Sequence, residues 1–220
     1  MIVRHTTCPT LAPVGFKLQP TTSNDQLQLN EAALSESPSG LTSEQVKILD
    51  TAIRVDQAGE IAANWIYAGQ AFILGRDSVT GPLIQDMWEQ EKKHLHVMDH
   101  LQYQHRVRPT ALTEVAKVAG FGLGAVTALL GKEAAMACTE AVETVIGEHY
   151  DDQLKELKSL PQDHPSIPKL RAIIEEFRDD ELEHLDIAVE NHSQRAPAHA
   201  LLSSIVGAGC KTAIELCKRF

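Results

Sequence analysis

Two short motifs constrain this chain more than any other feature: Glu91-Lys92-Lys93-His94 and Glu181-Leu182-Glu183-His184. Each reads Glu-x-x-His, and the sequence holds no third copy. On a helix, residues i and i+3 project from one face. Each motif therefore presents a carboxylate and an imidazole together. Upstream of each lies another helix-compatible stretch with one candidate carboxylate, Glu60 in VDQAGEIAANWIY and Glu143 in TEAVETVIGEHY.

An internal repeat ties these pieces together. Glu60, Tyr67 and Gln70 stand at the same spacing as Glu143, Tyr150 and Gln153, and Ala58 matches Ala141. Each half then continues through a turn to a Glu-x-x-His stretch. Two related helical hairpins predict a pseudo-symmetric four-helix bundle.

The turn signals agree with that reading. Thr42 and Gln45 form a capping box that opens a helix over residues 46 to about 74. Gly75 reads as its stop and Pro82 as the first turn of a second helix, which runs to about residue 106. A third long helix is expected from residue 132 to about 158, a fourth from about 167 to 191, and a last one from Pro197 to the C-terminus. No segment alternates with period two, so the fold is read as all-α. At about 1.5 Å per residue, Glu60 lies roughly 22 Å before its turn and Glu91 and His94 roughly 14 to 18 Å after it. The second hairpin gives roughly 24 Å for Glu143 and roughly 20 to 24 Å for Glu181 and His184. All six groups can meet at one level.

Two single glutamates with two Glu-x-x-His pairs make up the ligand set of ferritin-like di-iron or di-manganese bundles. The expected ligands are Glu60, Glu91, His94, Glu143, Glu181 and His184. Burying several carboxylates costs several kcal/mol each unless cations compensate them. Carboxylate-rich ligation with two imidazoles suits iron or manganese and suits zinc poorly. Glu140 competes for the place of Glu143, and the repeat favours Glu143. Glu89, Asp180, Glu183 and Asp186 are expected to face solvent or to stand behind the ligands. Tyr67 is expected to pack and make a hydrogen bond. His149 and Tyr150 are candidates for a proton and electron relay. His96, His100 and His105 are expected at the surface.

Composition excludes several other classes. The net charge of −10 argues against nucleic acid, whose phosphates need a basic face. Cys8, Cys138, Cys210 and Cys217 form no Cys-x-x-Cys pair, so zinc ribbons and thioredoxin-type redox pairs are unsupported. Residues 118–131 and 196–210 are apolar but too short to cross a bilayer. They are expected to pack on the bundle, to meet another subunit as a homo-oligomer would require, or to lie in a membrane interface. Residues 1–40 are rich in Ser, Thr and Pro. They read as a disordered leader, compatible with a mitochondrial transit peptide, ahead of one folded domain over residues 41–220.

The phrases RVDQAGE, YAGQ, MWEQEKKHL, RPTAL, GFGLGAVTALLGKEAAMACTEAVE, FRDDELEHLD and IVGAGCKTAI closely resemble the demethoxyubiquinone hydroxylases of ubiquinone biosynthesis. The likeness covers about residue 44 to the C-terminus. It implies a ferritin-like fold with a long apolar crossover and an extra C-terminal helix. It also implies a di-iron centre on the same six residues, and a site-proximal pair at His149 and Tyr150. The implied reaction is an O2-dependent hydroxylation of a polyprenylated quinone or quinol ring, with electrons ultimately from NADH. The implied setting is peripheral, on the matrix side of the mitochondrial inner membrane, beside a lipid-binding partner. Gln57 stands where some members have His, and Thr144 where some have a second acid. A ferritin-like iron oxidase or store is the alternative for the same ligand set.

Overall fold

Thr42 opens the first helix as its composition predicts. Its hydroxyl accepts the Gln45 backbone N–H, and Gln45 Oε1 accepts the Thr42 N–H at 2.9 Å. The computed structural model describes residues 40–220, so the leader ahead of residue 40 and Cys8 lie outside the described residues. The helices are α1 Ser43–Leu74, α2 Thr80–Gln104, α3 Thr113–Leu129, α4 Lys132–Leu157, α5 Ser166–Glu190 and α6 His199–Cys217. A 3-10 turn, Ser193–Arg195, precedes α6, and there is no strand among the described residues.

Helices α1 and α2 form one hairpin and α4 and α5 the other, and the two hairpins close into the bundle. Two apolar plugs fill its ends. Leu49, Ile53, Met98, Leu101, Leu157 and Ile174 pack at one end, and Tyr67, Ile84, Met87, Met136 and Ala188 at the other. Truncating a fully buried member such as Leu157 or Ile174 to Ala costs ~2–5 kcal/mol. The six expected ligands lie between the plugs.

The crossover is itself a helix, α3, and it lies along α1 with the two backbones almost touching. A Cβ on Gly120 would stand 2.7 Å from the Ala62 carbonyl oxygen. One on Gly69 or Gly124 would collide with the carbonyls of Phe121 and Ile66. Gly120 and Gly124 of this stretch, with Gly69 of α1, are therefore what lets α3 dock. Helix α6 packs along α4 through Val206, with Leu202 and Cys210 partly buried.

Several details differ from the sequence reading. Helix α2 begins at Thr80 rather than at Pro82, because Asp77 Oδ1 accepts the N–H groups of Val79 and Thr80 and caps the end. Gly75 ends α1 in a right-handed conformation, φ −61°, where a Cβ would meet the Ala71 carbonyl. His105 is buried rather than at the surface. Helix α6 continues past Lys211 to Cys217, so by length and composition it is apolar enough to cross a membrane. Its outer face, with Leu201, Ile205 and Leu216, is exposed, as are Val115, Val118, Val126 and Leu129 of α3.

Candidate metal centre

Glu60, Glu91, His94, Glu143, Glu181 and His184 all turn inward and are buried. Helix α1 supplies Glu60, α2 the first motif, α4 Glu143 and α5 the second motif. Their ligand-capable atoms form two groups, each within 4.8 Å: Glu60, Glu91, His94 and Glu181, and then Glu91, Glu143, Glu181 and His184. Glu91 and Glu181 belong to both. His94 Nδ1 stands 3.7 Å from Glu60 Oε2 and 3.4 Å from Glu181 Oε1. His184 Nδ1 stands 3.2 Å from both Glu91 Oε1 and Glu181 Oε2.

The other ring nitrogens are held from behind, and the holding is crossed. His94 Nε2 meets Asp180 Oδ2 at 2.9 Å, and His184 Nε2 meets Gln90 Oε1 at 2.8 Å. Gln90 and Asp180 each immediately precede a motif glutamate, and each serves the histidine of the opposite motif. Such a contact fixes which nitrogen carries the proton and leaves Nδ1 free to ligate. Asp180 fits the expectation for the flanking acids, whereas Gln90 escaped the sequence reading. The polar residue at the same offset in both motifs was the available signal.

The repeat tyrosines cross over too. Tyr67 donates to Glu143 Oε1 at 2.8 Å, and Tyr150 donates to Glu60 Oε1. Burial and the nearby carboxylates push both phenols well above the usual tyrosine range, so both remain neutral donors. Behind them, Gln70 Nε2 donates to Thr139 Oγ1 and to the Ala135 carbonyl, and Gln153 Nε2 donates to Asp56 Oδ2. Asp56 also accepts from His149 Nε2 at 3.1 Å. The sequence reading did not single out Asp56. A cavity of about 20 Å³ touches this side of the centre, lined by Glu60, Glu143, His149 and Tyr150 among others. That is room for about one water.

The electrostatics test whether a cation fits. Burial pushes the carboxyls of Glu60 and Glu143 well above the usual carboxylate range and that of Glu91 above it. Burial also opposes charge on Glu181, yet the imidazoles of His184 and His94, 3.2 and 3.4 Å away, hold it down to about 2. Burial likewise opposes charge on the imidazoles, but Asp180 and Glu181 at His94, and Glu181 and Glu91 at His184, hold both well above the usual histidine range. Protons thus stand in for cations. Even so, Glu60 Oε2, both Glu91 oxygens, Glu143 Oε2, His94 Nδ1 and His184 Nδ1 find no hydrogen-bond partner among the described residues. These orphaned atoms face one another with oxygen and imidazole nitrogen and no thiolate, a donor set that fits divalent iron or manganese.

The remaining candidates separate cleanly. Glu140 turns away and meets His199 Nε2 at 2.9 Å, which leaves Glu143 as the inward residue. Glu89 pairs with Lys92 at the surface, and Asp186 is exposed. Gln57 is buried and donates to Asp99, while the Thr144 hydroxyl bonds back to the Glu140 carbonyl. Neither reaches the six.

A four-helix bundle with four carboxylates and two imidazoles between apolar ends defines a ferritin-like metal-binding bundle. Comparison with known proteins narrows the class. Residues 47–217 match the family described as "Ubiquinone biosynthesis protein COQ7", and the chain belongs to that family. It is 51% identical over 184 residues to the mouse "NADPH-dependent 3-demethoxyubiquinone 3-hydroxylase, mitochondrial", 83% of each chain. It is 44% identical over 189 residues to the Saccharomyces cerevisiae "5-demethoxyubiquinone hydroxylase, mitochondrial", 81% of each chain. It is 46% identical over 172 residues to the Rhodospirillum rubrum "3-demethoxyubiquinol 3-hydroxylase", 78% of each chain.

Proposed function

We propose that this chain hydroxylates the ring of a polyprenylated demethoxyubiquinone or demethoxyubiquinol in ubiquinone biosynthesis, using two iron ions and O2. The observation that carries the reading is the set of orphaned, mutually facing oxygen and nitrogen atoms between the apolar plugs. The names of the similar proteins supply the substrate class.

Glu60, Glu91, His94, Glu143, Glu181 and His184 would hold the iron pair. Glu91 and Glu181, each common to both groups, are the natural shared ligands. When bound, such a pair supplies the electrons and Lewis acidity that let one oxygen atom of O2 pass to a ring carbon. The chain's own residues do the rest. Asp180 and Gln90 orient the two imidazoles, and Tyr67 and Tyr150 hold the outer glutamates through their phenolic protons. The apolar plugs keep water from the ends of the bundle. His149, held by Asp56 with its ring centroid 5.9 Å from that of Tyr150, is placed to carry protons at the cavity.

The mouse protein is named for NADPH. The expectation of NADH therefore broadens to a reduced nicotinamide as the ultimate electron source. The names also favour a mitochondrial location. Within it we place the chain peripherally on the matrix side of the inner membrane, with its hydroxylase domain spanning residues 41–220. A lipid-binding partner or a second copy of the chain would meet the same outer faces. The exposed apolar faces of α3 and α6 favour an interfacial position and disfavour a soluble iron store. Changing Leu129 and Leu130 to Asp should lower co-flotation with liposomes several-fold, and unchanged flotation would remove the interfacial reading. Incubating the iron-loaded chain with a demethoxyubiquinone, reductant and labelled O2 should yield a quinone carrying one labelled oxygen. Oxidised iron without that product would point to the store instead.

A further inference from the structure

The two halves of the repeat place different residues around their glutamates. Gly59 precedes Glu60 and Ala63 follows it by three, whereas Val142 and Ile146 hold the corresponding places around Glu143. The structure turns that difference into space. A Cβ on Gly59 would meet nothing within 4 Å among the described residues. Val142, by contrast, is packed in the cluster with Ile66, Cys138 and Val206.

The cavity of the metal centre lies on the Gly59 side. Gly59 and Ala63 of α1, Ile146 and His149 of α4 and Ile214 of α6 border it. Of these, all but Ala63 are partly exposed, so they form the mouth. Inside, Glu60 Oε2 and Glu143 Oε2 are buried without a hydrogen-bond partner among the described residues. The space therefore leads to the proposed metal ligands.

We infer that the substrate ring reaches the metal centre over Gly59, between α1, α4 and α6, and that the missing side chain at this position sets how large a ring is admitted. This rests on the reading of the chain as a quinone-ring hydroxylase. At about 20 Å³ the cavity takes a water-sized guest, so a ring enters only when Ile146 and Ile214 turn aside. Both side chains border water. Ile214 leans on Val55, Ala58 and Cys217 at the rim rather than on the bundle core. A methyl group at 59 would stand at the mouth without meeting a neighbour within 4 Å, and a longer side chain would reach further across the path of the ring.

The test uses the full chain loaded with iron, as wild type, Gly59→Ala, Gly59→Leu and Gly122→Leu. Gly122 is a helical glycine with open space away from the cavity, and it controls for the change of residue type. Binding of 2-methoxy-5-methyl-1,4-benzoquinone, the ring with the hydroxylation position open, is read by equilibrium dialysis, beside iron per chain and helix content. Wild type and Gly122→Leu should bind alike. Gly59→Ala should bind a few-fold more weakly and Gly59→Leu more than about tenfold more weakly, with iron content unchanged. Equal binding by wild type and an iron-loaded Gly59→Leu overturns the route alone. If Gly59→Leu loses iron, equal binding by wild type and Gly59→Ala overturns it instead. No binding by wild type overturns the hydroxylase reading together with the route.

Discussion

The Glu60 flank and the Glu143 flank of this centre start from one repeat and end differently. In both, a tyrosine from the opposite half holds the glutamate, and a glutamine from the opposite half reaches the residue four positions before that glutamate. That residue is Asp56 on one flank and Thr139 on the other. His149 stands where the other half has Ile66. One flank therefore carries a buried carboxylate and an imidazole beside a cavity, and the other a hydroxyl and an aliphatic side chain in a packed interior. The repeat is kept where both halves meet the same demand, holding a ligand carboxylate in place. It diverges one layer further out, where α3 and α6 cover the flanks unequally.

The largest effect should come from dismantling the polar flank. Asp56→Asn and His149→Ala should each lower turnover by about 10- to 100-fold while two irons remain bound. Thr139→Val, its counterpart across the bundle, should stay within about threefold, since Gln70 keeps the Ala135 carbonyl as a partner. Steady-state rates beside metal analysis decide this, and equal losses on both flanks would erase the distinction.

A smaller effect tests where the flanks agree. Burial raises Glu60 and Glu143 alike, so the unfolded chain gives up these protons near 4.5 while the folded, metal-free chain retains them. Such a group adds stability below the unfolded value and loses it as pH rises through the folded one. His94 and His184, also raised, act in the same direction from 6.5 upward. Glu181, held down to about 2, contributes evenly above the unfolded carboxylate range. Metal-free protein should therefore lose stability as pH rises from about 5 through the ordinary histidine range and beyond, and metal should raise Tm by several degrees more at the higher pH. Calorimetry on Glu60→Gln and Glu143→Gln sharpens the comparison. Each should remove a similar share of the slope, and a share lost from one flank only would break the equivalence.

The six grouped residues were legible because their spacing is dictated by helix geometry and their grouping by the repeat. Glu140 and Glu143 differ by nearly one helical turn, and only the match to Glu60 separated them before His199 was seen to hold Glu140 aside. What lay outside the spacing was less legible. Gln90 acts across the bundle on a residue of another helix, and its role depends on which imidazole nitrogen faces inward. Asp56 has no acidic counterpart in the repeat, so internal comparison passed over it. His105 caps the end of the helix carrying His94, and the bundle end closes over it, a tertiary effect absent from its local pattern. Gly59 carries no local signal in the sequence, because what distinguishes it is the open space beside it in the folded chain.

The central claim is that the two Glu-x-x-His motifs share one pair of iron ions. It is tested most directly by elemental analysis with Mössbauer spectroscopy on the purified full chain and on Glu181→Ala. The account predicts two irons per chain in a coupled pair, and loss of both in Glu181→Ala, since that carboxylate belongs to both ligand groups. A single uncoupled ion in the wild-type chain, or a Glu181→Ala variant that keeps both irons coupled, would contradict it.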